Sequence, residues 1–128
     1  MKLRMTHNSI RIRIKKSELE QLKEKRGIME SIIFPNASLF MFSLVIDDIP
    51  SIKALFEDGN IIIGLPLQTA KEWITTNQVG IETHIPIEGE KNEQLHVLIE
   101  KDFPCIDRPN EDKSDTFWEL VPDKIEQC

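Results

Sequence analysis

Lys2-Leu-Arg-Met-Thr-His-Asn-Ser-Ile-Arg-Ile-Arg-Ile14 is answered 51 positions later by Lys53-Ala-Leu-Phe-Glu-Asp-Gly-Asn-Ile-Ile-Ile-Gly-Leu65. Each stretch reads as a strand, a tight turn (His7-Asn8 or Asp58-Gly59), a second strand and then a helix-like run. In the first, Ile10, Ile12 and Ile14 alternate with Arg11, Arg13 and Lys15. A period of two puts the isoleucines on a buried face and the cations in water.

Working outward, Ser17-Glu-Leu-Glu20 has the spacing of a capping box, Leu19 and Leu22 share a helix face, and Gly27 is a natural stop. Met29 to Phe34 and Leu39 to Ile46 follow as strands around Pro35-Asn36. The second is apolar almost throughout, which predicts a central strand covered on both faces. The later half repeats the order. Asn8 aligns with Gly59, Ile10 with Ile61, Ile14 with Leu65 and Leu22 with Trp73 at an offset of 51. Met29 then aligns with Ile81 at 52, and Met41 with Val97 at 56. Thr69 to Glu72 is a second candidate capping box. The adjustments fall at loops, where insertions are tolerated.

The fold predicted is α+β and mainly antiparallel β. Two pseudo-twofold-related ββαββ repeats form one barrel-like core with two short helices. One domain is expected over 1–128: repeat 1 at about 1–48, repeat 2 at about 51–102, and an acidic tail at 103–128. Neither half has much core alone, and facing each other they bury both sets of apolar residues. Phe103, Phe117 and Trp118 would anchor the tail on that core.

Composition bounds the class. The chain has 128 residues, 40% hydrophobic and 30% charged, with net charge −6. These are the proportions of a soluble globular chain. No apolar stretch approaches a membrane span, and none follows the basic start as a signal peptide requires. A cytoplasmic protein is expected. Cys105 and Cys128 do not make a disulfide framework, and free thiols are the expectation. Residues 1–26 carry nine basic groups against three acids, whereas 27–128 carry seven against nineteen. The acidic part is expected to lie against the basic one. The alternative is that the basic stretch meets an anionic partner.

Thr6-His-Asn-Ser-Ile-Arg-Ile-Arg-Ile14 with its following helix resembles the looped-hinge-helix (AbrB-like, swapped-hairpin) domains of bacterial regulators and antitoxins. The resemblance implies DNA contacts from Asn8, Ser9, Arg11 and Arg13. His7 stands where that family has Gly, Lys15 where it has Pro, and Gly64 where it has Arg, so such a surface would be one-sided. Over its whole length the chain is similar to a small uncharacterised family of bacterial proteins. The Asn-Ser-Ile-Arg start and Glu100-Lys-Asp-Phe-Pro-Cys105 carry that likeness, which implies no activity.

Few patterns carry chemistry. If the hairpin over 80–101 pairs residues whose numbers sum to 180, His84 faces His96, and Glu82 and Glu100 share their face. That set could hold a divalent metal such as zinc, and the plainer reading is a polar surface in water. A one-residue slip would remove the pairing. Asn110, Asp112 and Ser114 begin like a calcium loop, but Asp115 and Val121 replace its Gly and Glu. A looser cation site from Asp102, Asp107, Glu111, Asp112 and Asp115 competes with ordinary solvated acids. Cys105 with His84 or His96 as base would be a thiol nucleophile, and a structural thiol is the simpler role. The five glycines are scattered, so no phosphate-cradling loop and no cofactor are expected.

The function that follows is a non-enzymatic binding or regulatory module with an unidentified macromolecular partner, as monomer or homodimer. The alternatives are a DNA-binding regulator using the basic N-terminal strand, and a metal-dependent or thiol enzyme.

Overall fold

The structure is a computed structural model, and residues 1–102 of it are described. The expected tail packing, both cysteines and the acids from Asp107 onward lie outside those residues. The elements run β1 (Lys2–Thr6), β2 (Ser9–Ile14), α1 (Lys16–Lys25), β3 (Gly27–Ile33), β4 (Leu39–Asp47), β5 (Lys53–Glu57), β6 (Asn60–Pro66), α2 (Leu67–Thr75), β7 (Gly80–Pro86) and β8 (Gln94–Lys101). The predicted order ββαββ thus occurs twice. No helix among the described residues is long and apolar enough to cross a membrane.

The hairpins change partners between halves. The two four-stranded sheets have the orders β1-β2-β8-β7 and β3-β4-β6-β5. Each hairpin is antiparallel, and the two hairpins of a sheet meet through a parallel pair, β2 with β8 or β4 with β6. The N-terminal hairpin of each half therefore completes its sheet with the C-terminal hairpin of the other half. The expected barrel-like core is two open sheets: β1 and β7 end one, β3 and β5 the other, and they do not pair to close a cylinder.

Inward side chains of both sheets and both helices form one buried cluster. Ile12, Ile14, Leu22, Leu44, Ile63, Leu65, Trp73, Val97 and Ile99 are fully buried. The indole N–H of Trp73 donates to the Val79 carbonyl at 3.0 Å, so the largest core side chain leaves no buried donor unpaired.

Backbone hydrogen bonds correct the alignment of the halves. His96 N–H donates to Asn8 O as Met41 N–H does to Gly59 O, and Lys101 N–H donates to Val79 O as Ile46 N–H does to Arg26 O. Equivalent offsets are thus 51, then 53 after the helix, then 55 after the last hairpin. Ile28, not Met29, matches Ile81. Ile28 and Ile81 are buried where Met29 is exposed, so the one-residue difference decides which face each side chain takes.

Four local expectations change. Helix α1 starts at Lys16, one residue before the expected cap, and Glu18 in its first turn accepts from the Lys15 N–H at 2.9 Å. Ser17 is inside the helix and exposed, so it caps nothing. Gly27 is not the stop either: Arg26 ends the helix at φ 60°, and its N–H returns to Leu22 O. In the second half Thr69 is inside α2, which begins after Pro66, so that capping box is also absent. A proline there is preset for the entry and gives up an N–H that the first turn does not use. Finally, β4 is central as predicted, and its outer face is covered only in part, with Ser43 buried at its middle. Phe42 and Leu44 face the core, while Met41 and Val45 lie half-buried on the outer side.

Candidate functional site

Among the described residues, the outer face of the first sheet gathers Ser9, Arg11, Arg13, Glu82, His84, His96 and Glu100, whereas Asn8 lies in the β1–β2 turn. Strand alternation sends Ile10, Ile12, Ile14, Val97 and Ile99 inward, so their neighbours project outward. The pairing registers arrange those neighbours in rows: Thr6, Ser9, His96 and His84; then Arg4, Arg11, Leu98 and Glu82; then Lys2, Arg13, Glu100 and Gly80. Cations occupy the β1–β2 side, and imidazoles and carboxylates the β7–β8 side.

The proposed DNA contacts are engaged within the chain. Glu100 accepts from Arg11 Nε at 2.5 Å and pairs with Arg13 Nε at 3.5 Å. Their side chains are only 23%, 10% and 14% exposed for Arg11, Arg13 and Glu100, so this is a half-buried ion cluster. Lys2 Nζ lies 3.3 Å from Asp102, and Asn8 Nδ2 donates to Glu93 at 3.2 Å. Asn8 also supplies the turn backbone, at φ 49°. Ser9 Oγ is 3.2 Å from His96 Nδ1.

The histidine pair stands where the hairpin register predicted it. His84 is the direct partner of His96, and their rings stack at a 4.6 Å centroid separation and 13° tilt. Glu82, two residues back on β7, places Oε1 2.6 Å from His96 Nε2. One ligand atom from each of Glu82, His84 and His96 lies within 4.8 Å of the others. Glu100, the fourth residue of the predicted set, is held by the arginines instead. His7 is exposed in the first turn.

The role of Ser9 beside His96 has no local sequence signal. The contact spans 87 positions and exists only because β2 and β8 pair in parallel. Asn8-Ser9 marks a notable position, but nothing in it names a histidine partner.

Fold and face define a small α+β protein of two hairpin-exchanged sheets, with a charged outer surface on one of them. The chain belongs to the Family of unknown function (DUF7009), whose family model matches residues 1–119. No curated protein and no solved structure matches the chain.

Proposed function

We propose that this chain is a non-enzymatic binding module that works by protein–protein contact, with the outer face of the second sheet as its surface and a second copy of the chain as its occupant. The observation that carries this is the apolar character of that face. Met29, Ile33, Leu39 and Leu55 all project outward and are 61%, 74%, 48% and 48% exposed. Ile62, Met41 and Val45 lie between them, half-buried. Interrupted by Ser31, Ser43 and Asn60, these side chains still group on one sheet face, and an outward apolar grouping of this kind marks a contact surface.

A second copy fits the edge. Strand β5 ends the sheet and carries Lys53, Leu55 and Glu57 on the outer side. An antiparallel β5–β5 contact centred on Leu55 sets Lys53 against the partner's Glu57, and Leu55 against its twin. Phe56, 66% exposed, then meets the partner's Ala54. This is the self-complementarity an isologous interface needs, and it pairs an open strand edge.

Sedimentation velocity across the micromolar range tests the proposal. A dimer is expected. Lys53→Glu should weaken it and Lys53→Glu with Glu57→Lys should restore it. A wild-type chain that stays monomeric overturns the reading.

DNA binding is the weaker reading. The hairpin exchange supports a likeness to swapped-hairpin regulators, and the matched registers support descent from a copied segment. Yet Arg11 and Arg13 are engaged with Glu100, and the chain is acidic overall. Salt-dependent retention on random duplex would favour it, and no retention removes it.

A further inference from the structure

We propose that Glu82, His84 and His96 form a divalent-metal site of the zinc type, with Ser9 as the positioning residue behind His96. This stands on the first sheet and is independent of the contact surface on the second.

Zinc is held by imidazole nitrogens and carboxylate oxygens, and three protein ligands with an open fourth position make a common arrangement. All three ligands needed are present, two imidazoles and a carboxylate, and they project from one face. His84 and His96 are direct cross-strand partners, and Glu82 is diagonal to His96. Their ligand atoms lie within 4.8 Å of one another, against about 3.3 Å between neighbouring ligands of a tetrahedral zinc. Closing the remaining gap requires rotation about the χ angles of two exposed side chains, Glu82 and His84, which takes the His84 ring out of its stack on His96 so that the nitrogen lone pairs converge. The strands supply the spacing and the side chains only the final adjustment.

The surroundings of His96 favour this over two solvated imidazoles that happen to be adjacent. Its ring is clamped at both nitrogens, with Ser9 Oγ at 3.2 Å from Nδ1 and Glu82 Oε1 at 2.6 Å from Nε2. A metal on Nε2 leaves Nδ1 protonated and donating to the Ser9 hydroxyl oxygen. That outer hydrogen bond fixes tautomer and ring plane, as ligating histidines require. Glu82, already beside Nε2, needs only to exchange its hydrogen bond for the cation. Meanwhile Arg11 and Arg13 are drawn off by Glu100, so the nearest guanidinium groups do not compete for Glu82.

The test is titration of the full-length chain, stripped with chelator, using Co²⁺ and then Zn²⁺. One equivalent of Co²⁺ should give the visible bands of a four-coordinate site, and Zn²⁺ should bleach them. His84→Ala and His96→Ala should each lose at least tenfold in affinity, and the double variant should show no bands. Ser9→Ala should keep the stoichiometry and weaken binding about tenfold, the range for loss of an outer hydrogen bond. Circular dichroism of each variant checks that the fold persists. Undiminished binding in the folded double variant, which leaves His7, Cys105 and Cys128 intact, overturns the site. So does a purely six-coordinate spectrum in the wild type.

Discussion

Glu18 does two jobs with one carboxylate. It receives the Lys15 N–H at 2.9 Å and also pairs with the Met1 ammonium. Burial pushes its carboxyl up, but the ammonium hydrogen bond, the Lys15 N–H and the two positive charges together leave it below its ordinary value of 4.5. A depressed folded-state pKa means stability that is complete above the unfolded value and lost as pH falls through the folded one. Glu18→Gln should therefore cost about 1 kcal/mol at neutral pH, the worth of a helix N-terminal contact, and progressively less in acid. Urea unfolding at pH 7 and again well below pH 4 checks both parts. Ser17→Ala, by contrast, should change stability by less than about 0.5 kcal/mol, because its hydroxyl holds no cap. Gly59 gives the third case at this scale. It sits at φ +74° in the Asp58-Gly59 turn, and a Cβ there would approach Leu39 O to 2.9 Å. Gly59→Ala should cost about 1–3 kcal/mol by the same unfolding assay, from backbone strain and the close approach together.

At the scale of elements, what could be read was what is local. Alternating isoleucines marked β2, the 51-residue echo located β6, and the two-residue turns follow from His7-Asn8 and Asp58-Gly59. The His84–His96 pairing was equally legible, because a hairpin's register depends on residues close in the chain. What escaped depended on distance. Short apolar segments such as Met29 to Ile33 align about equally well one residue out, and only their packing against β4 shows that Ile28 is the inward one. The engagement of Glu100 by Arg11, 89 positions apart, needs the β2–β8 pair. The helices are held by burial more than by caps, and Trp73 measures this. It is fully buried, and its N–H has a defined acceptor. Trp73→Ala should cost about 3–5 kcal/mol through lost burial and a cavity. Trp73→Phe, which loses part of the ring and the indole hydrogen bond while the Val79 carbonyl keeps its bond from the Lys101 N–H, should cost about 1–3 kcal/mol. Equal losses in urea midpoint for the two would mean the indole hydrogen bond, not packing, seats α2.

The exchange of hairpins makes each half of the molecule dependent on the other. Within residues 1–50, β2 lacks β8 and β4 lacks β6, so neither hairpin has its parallel neighbour. The inward residues Ile12, Ile14, Leu22, Ile28, Phe42 and Leu44 would then face water, although in the whole chain they share one cluster with Ile61 to Trp73 and Ile81 to Ile99. A fragment this short buries too little apolar surface to offset its conformational entropy. The link between the halves, by contrast, is a surface loop. Asp48, Pro50 and Ser51 are exposed, and no strand or helix passes through them. Cutting there should remove covalent connection while leaving every strand intact. Fragments 1–50 and 51–128 should accordingly show no cooperative unfolding as separate monomers. Mixed in equal amounts they should regain the circular dichroism spectrum of the whole chain, with a melting temperature that rises with concentration because association is now bimolecular. A fragment 1–50 that melts cooperatively as a monomer would mean that its hairpins pair with each other, and that the exchange does not hold the protein together.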